Sequence, residues 1–187
     1  MTLRAIFDLT QVAFWALTYA LMIYYWAVQT KPRRPLIPIT ACCLNFGWEI
    51  NATIATQTLN ISVIWLCLDI VIFIQSIATL KTWKARTICL SVLLTVVMVL
   101  MQIFNLQTVD GQLYSSFVID IYMAVAFLAR YNVLASKGQK YIACTKLIGD
   151  LFAWLVYGGN VLVINIIGAA VLLLNILYLA VCLEKNE

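Results

Sequence analysis

Seven apolar runs, each about as long as a bilayer-crossing helix, leave this chain few residues for anything else. They lie near 6–28, 36–56, 61–80, 87–107, 113–133, 141–158 and 160–183. About 20 apolar residues cross the hydrocarbon core as one α-helix. The joining stretches are too short to fold separately. The expected fold is therefore all-α: a polytopic bundle of seven transmembrane helices, one domain over residues 1–187. Composition agrees, with 64% hydrophobic and 11% charged residues. A soluble domain carries about half and about a quarter. The sixth run is the shortest. The first is longer and more aromatic than the core of a signal peptide, and reads as a span.

The connections alternate in charge. The first holds Lys31, Arg33 and Arg34, and the third Lys81, Lys84 and Arg86. The fifth region holds Arg130, Lys137, Lys140 and, just inside the next helix, Lys146, and the C-terminal tail holds Lys185. The second, fourth and sixth connections carry no basic residue. Positive charge stays on the cytoplasmic side. The N-terminus is thus expected outside and the C-terminus in the cytosol. These loop charges account for the net charge of +4 without nucleic acid as a partner. Pro35 and Pro38 fit the start of helix 2, Asp110-Gly111 reads as a turn, and Asn60-Ile61-Ser62 is a sequon close to the membrane.

Cys42, Cys43, Cys67, Cys89, Cys144 and Cys182 all fall in apolar runs, and the chain has no histidine. They lack metal-site spacing and read as small apolar fillers. No metal and no cofactor is expected.

Four carboxyl groups sit inside apolar runs: Glu49, Asp69, Asp120 and Asp150. A charge at the bilayer centre costs at least about 2.5–3.5 kcal/mol on insertion scales, so each needs a reason. Counted from the outer ends of their helices, all four lie seven or eight residues in. At 1.5 Å per residue this is roughly 11 Å below the outer surface. Four acids from four helices at one depth predict one polar chamber. Asn45 and Thr53 flank Glu49 one turn either side, Trp65 and Phe73 flank Asp69, and Ser116 precedes Asp120. Trp154 and Tyr157 follow Asp150 at i+4 and i+7. Helix 1 carries Asp8, Gln11, Trp15, Thr18, Met22 and Tyr25 on one stripe, and helix 4 carries Ser91, Thr95, Met98, Gln102 and Asn105. Lys146 reaches Asp150 by i,i+4 spacing, which would make that pair a structural ion pair.

A carboxyl buried away from cations keeps its proton. Beside aromatic faces it is suited to protonate a greasy substrate, since those faces stabilise cations. Intramembrane acids also serve as interhelical hydrogen-bond glue, a role that suits Asp69 and Asp120 best. The aromatics also fit plain packing or interface belts.

The segment Asn45-Phe46-Gly47-Trp48-Glu49 resembles the Asn-x-x-Trp-Glu signature of small integral-membrane terpene cyclases of meroterpenoid and indole-terpenoid pathways. Trp65-Leu66-Cys67-Leu68-Asp69 is similar to that family's Trp-x-x-Leu-Asp in helix 3. Ser116-Phe117, Arg130, Gly138-Gln139 and Gly149 resemble its helix 5 to helix 6 stretch, so the likeness runs through most of the chain. The resemblance implies a seven-helix fold and a reaction without metal or diphosphate. A buried Glu, here Glu49, protonates an epoxide or alkene of a lipophilic prenylated substrate, a cation cascade closes rings, and a base ends it. Asn45, Trp48, Trp65, Asp69, Asp120, Trp154 and Tyr157 would orient the acid or line the pocket. One position departs from the family pattern. Its second acid, in the last helix three residues before a Tyr, is replaced by Asn175 ahead of Tyr178. Asp150, after Gly149 where the family usually has Thr, either takes that role or signals different chemistry. By the expected topology Asn175 lies near the cytosolic end, away from the acid layer.

Three other readings stand beside this one. Acids at one depth also suit a small proton-coupled transporter, although Pro-Gln motifs, three-helix repeats and prolines beyond Pro38 are missing from the sequence. A receptor or retinal-binding protein is disfavoured, since no lysine lies between Val161 and Leu183 for a retinal Schiff base on helix 7 and the chain is short for a receptor. A structural membrane subunit needs no chamber. The host membrane is expected to be a bacterial plasma membrane or the endoplasmic reticulum, with lipid as the surrounding partner.

Overall fold

Each apolar run becomes one helix in a computed structural model, which describes residues 2–30, 33–56, 61–103, 109–131, 137–159 and 161–184. The helices are α1 (Leu3–Ala27), α2 (Ile39–Thr56), α3 (Ile61–Ala78), α4 (Trp83–Ile103), α5 (Val109–Ala129), α6 (Lys137–Tyr157) and α7 (Leu162–Glu184). The described residues contain no strand. Lys31, Lys185, Asn105 and most of the sequon and outer connections fall outside the described residues, as does the side chain of Gln102.

Local chemistry sets the boundaries. Thr2 caps α1, its hydroxyl accepting from the Ala5 amide at 3.3 Å, which satisfies one of the free amides of a helix start. Pro38 stands immediately before α2 and its carbonyl accepts from Cys42 N at 3.0 Å. The helix therefore starts at Ile39, three residues later than expected. Thr82 caps α4 through Ala85 N at 3.2 Å, so α4 takes in a polar first turn that hydropathy misses. Asp110-Gly111 is not a turn but lies in the first turn of α5. Gly159, at φ +44°, closes the α6–α7 hairpin in a left-handed conformation that glycine adopts without strain.

Four helices are long and apolar enough to cross a membrane, over Leu3–Ala27, Trp83–Leu100, Gly111–Ala129 and Leu162–Glu184. α3 is strongly apolar over the shorter stretch Val63–Ala78. α2 and α6 carry Asn45, Glu49 and Asn51, and Thr145, Lys146 and Asp150, which lower their hydropathy. Many outward-facing side chains are apolar: Leu94, Met98, Ile166 and Leu173 are each more than half exposed. An exterior of this kind suits lipid better than water.

Packing runs α1–α6–α7–α5–α2–α3 and back to α1, so six helices close a ring. α4 stands outside it, packed on α2. The expected inward stripe of α4 is thus corrected. Ser91, Thr95 and Met98 face outward, and Cys89, Leu93 and Leu100 are buried instead. The polar members turn outward without loss because their hydroxyls bond back within the helix, Ser91 to Thr87 O at 3.0 Å and Thr95 to Ser91 O at 2.9 Å. The stripe on α1 fares better: Gln11, Trp15, Thr18 and Met22 are buried, joined by Tyr19. Small residues let neighbours approach. A Cβ on Gly47 would stand 2.8 Å from Val96 Cγ1 of α4, and one on Gly149 would stand 3.0 Å from the Trp15 ring of α1.

Candidate functional site

The polar centre of the ring is assembled one side chain at a time. On α2, the four-residue spacing of Asn45 and Glu49 puts both on one face, while Gly47 and Asn51 face α4. Asn51 donates to Val97 O at 3.0 Å, holding α4 in place. Trp48 points to α5, its indole N–H donating to Ser115 Oγ at 2.8 Å. The Asn-Phe-Gly-Trp-Glu segment therefore serves three neighbours through successive faces.

Asn45 is the clamp between α1, α2 and α3. Its amide donates to the Tyr19 hydroxyl and to Asp69 Oδ2, both at 2.8 Å. Asp69 is buried and so takes the hydrogen-bonding role expected of it. Glu49 is also buried, at 4% exposure, and its Oε2 has no hydrogen-bond partner. A buried polar atom left unpaired is unfavourable and uncommon, so this oxygen is free to engage something else. Glu49 lies within electrostatic reach of Asp69 and Asp120. Asp120, half-buried on α5, lies within reach of Asp150 and Lys146. Each of the four acids thus feels the field of at least one other.

At the α6 end the acids meet a cation. Lys146 Nζ is 2.5 Å from Asp150 Oδ2, with side-chain exposures of 0% and 2%. The ammonium also lies over the Trp15 ring at 4.8 Å and the Phe127 ring at 5.7 Å. Lys146 is therefore no cytosolic loop charge but a buried partner in the middle of α6. The ion pair anticipated from the i,i+4 spacing is present.

Asn175 requires a further correction. It is fully buried, and its amide donates to the same Asp150 oxygen at 2.5 Å. It sits in the acid cluster, not away from it. Asp150 lies seven residues before the end of α6 and Asn175 thirteen after the start of α7, so residue counts along each helix put the two at different depths, yet their side chains meet across the antiparallel pair. Tyr178, one turn on, packs its ring 5.7 Å from that of Phe127.

The remaining aromatics divide. Trp65 is half-buried one turn before Asp69, against the core, and its buried indole nitrogen has no hydrogen-bond partner. Trp154 donates to Asn165 Oδ1 at 2.9 Å and packs on Gly168, where an added Cβ would come within 2.5 Å of its ring. Tyr157, at the end of α6, donates to Asp8 Oδ1 at 2.9 Å. Trp154 and Tyr157 thus tie the end of α6 to α7 and α1 and are not brought to Glu49. Asp8, Tyr157, Arg4 and Thr2 line a separate surface groove of about 260 Å³.

Sequence reasoning missed Tyr19 and Asn175 as members of the centre. Tyr19 follows Thr18 of the buried stripe by one residue. Cys43 and Cys89 lie 3.6 Å apart between α2 and α4 as free, buried thiols, in ordinary van der Waals contact. Comparisons with known proteins found no matching family model, no matching curated protein and no matching solved structure.

Proposed function

We propose that this chain is a membrane-embedded terpene cyclase, crossing the bilayer seven times with the N-terminus outside and the C-terminus cytosolic. It isomerises a lipophilic prenylated substrate by acid-initiated cation cyclisation, without a metal. The observation that carries the reading is Glu49: a buried carboxyl with an unpartnered oxygen at the centre of the helix ring. An uncompensated charge there would be costly, so the group is suited to hold and deliver a proton.

Glu49 transfers its proton to an epoxide oxygen or an alkene carbon. The C–O bond opens, or the π bond is consumed, and a carbocation forms. Internal alkenes attack it in turn, closing rings. Asp150 accepts a C–H proton at the end, and the electron pair left behind becomes a new alkene. Substrate and product are isomers. Asp120, within reach of Glu49 and of Asp150, lies on the way by which the proton returns. Asn175 supports the assignment of Asp150. It occupies the place of the second acid in the family this chain resembles, and it touches the Asp150 carboxylate. Trp65, one turn before Asp69, supplies an aromatic face, and Trp48 lines the α2–α5 side through its bond to Ser115. Asn45 holds Asp69, and Trp154 and Tyr157 brace α6.

A second reading, proton-coupled transport, draws on the four acids and Lys146, each within the field of another, since chains of such groups relay protons. Membranes carrying wild type and Glu49→Gln, incubated with farnesylated and epoxidised farnesyl-aromatic compounds, separate the two. Cyclic isomers from wild type, reduced about 100-fold or more in the variant, support the cyclase. No product from folded wild type across the panel favours transport. Equal product from both removes Glu49 as the acid.

A further inference from the structure

We infer that Lys146 is the positioning residue that divides acid from base in this centre: it holds Asp150 as the carboxylate while Glu49 remains the neutral acid. The inference deepens the cyclase reading and rests on it for the chemical role of Asp150. The charge division itself rests on the geometry alone.

Among the described residues the centre contains four carboxyl groups and one buried cation. Lys146 is fully buried and its ammonium sits 2.5 Å from Asp150. Two aromatic faces take up its other sides, Trp15 at 4.8 Å and Phe127 at 5.7 Å. Aromatic faces favour the charged ammonium, and a charged ammonium at hydrogen-bond distance favours a charged carboxylate. Asn175 adds a donor to the same oxygen. A carboxylate accepts both hydrogen bonds there, as a negative oxygen should.

Glu49 has none of this. Its Oε2, like Asp150 Oδ1, has no hydrogen-bond partner; the difference is the ammonium at Asp150 Oδ2, whereas the charged groups within electrostatic reach of Glu49 are the acids Asp69 and Asp120. One cation neutralises one anion, and in a water-poor ring further unpaired charges are unfavourable. The single positive charge therefore selects which acid is ionised, and geometry assigns it to Asp150. An acid that starts a cascade must carry a proton, and the group that ends it must have room for one. Placing the cation on α6, on the Asp150 side of the ring, separates those states without any metal.

Infrared spectroscopy of the membrane-embedded protein reads this directly, through the C=O stretching band of protonated carboxyl groups. Glu49→Gln is expected to remove intensity from that band in the wild-type background. Lys146→Gln is expected to add intensity equal to about one carboxyl, and Lys146→Gln/Asp150→Asn, which removes cation and carboxylate together, to return to the wild-type intensity. Loss of intensity in that double variant overturns the inference, as does an unchanged Glu49→Gln spectrum or a folded Lys146→Gln without the added band. If Lys146→Gln does not fold, the double-variant and Glu49→Gln spectra decide alone. Product analysis then tests the chemical role. Lys146→Arg keeps a cation and is expected to retain the wild-type product, while Lys146→Gln shifts it to a mixture of alkene isomers. An unchanged product from folded Lys146→Gln overturns the positioning role. Absence of product from wild type sinks the cyclase reading and leaves the infrared result standing on its own.

Discussion

Replacing Lys146 by Met keeps a long side chain between Trp15 and Phe127 and deletes only the charge. Asp150 is then left with the Asn175 amide as its hydrogen-bond partner. Both ion-pair side chains are almost wholly buried, at 0% and 2% exposure, so solvent screening offers little relief. Breaking a buried pair from one side destabilises by about 3–5 kcal/mol. Proton uptake by the stranded carboxyl sets a ceiling near the cost of protonating an ordinary aspartate at pH 7, about 4 kcal/mol. Lys146→Met is therefore expected to lose about 3–4 kcal/mol. Asp150→Asn strands the ammonium between two rings and is expected to lose a similar amount. The double variant strands neither charge and should return to within about 1 kcal/mol of wild type. Unfolding of the purified protein in mixed micelles with increasing dodecyl sulfate measures all four states. The reasoning predicts a coupling energy well above 2 kcal/mol, counted as a double-mutant cycle. A coupling below about 0.5 kcal/mol would mean that the two groups do not share a buried pair in solution.

Three further outcomes test the packing. Mild oxidation should join Cys43 to Cys89, whose sulfurs are 3.6 Å apart, with loss of two titratable thiols and none of that loss in Cys43→Ser; retention of both thiols in the oxidised wild type would move α4 off α2. Gly47→Leu should destabilise by about 1–3 kcal/mol through overpacking, because its first carbon already meets Val96 at 2.8 Å; Val96→Ala should recover part of that loss, and a neutral Gly47→Leu would contradict the contact. Asn45→Ala removes two hydrogen bonds and leaves the buried Asp69 carboxyl unpaired, for an expected loss of about 2–4 kcal/mol at roughly 1–3 per stranded group. Asp69→Asn combined with it should be less harmful than Asn45→Ala alone, and a larger loss in the double variant would deny the clamp.

Much of the candidate centre was legible because polar residues are conspicuous inside apolar runs. Glu49, Asp69, Asp120 and Asp150 stood out against apolar surroundings, and helix geometry placed Asn45 beside Glu49 and Lys146 beside Asp150. α4 shows where the same logic fails. Ser91 and Thr95 look like a pore-lining stripe, yet each hydroxyl finds its partner one turn back in its own helix. Hydropathy does not distinguish a hydroxyl satisfied locally from one that needs a neighbour.

Asn175 fails for a different reason. An amide in an apolar run signals an interior face but not its partner, and its level in the bundle depends on how α6 and α7 slide against each other. The sequence by itself determined the helix count, the near positions of their ends and the residue types of the centre, because each follows from period and composition along one helix. The tertiary structure alone decided the order of helices around the ring, the exile of α4 and the meeting of Asn175, Asp150 and Lys146. Those depend on close approach at Gly47 and Gly149 and on interhelical register, which are properties of pairs of helices and are written in no single segment.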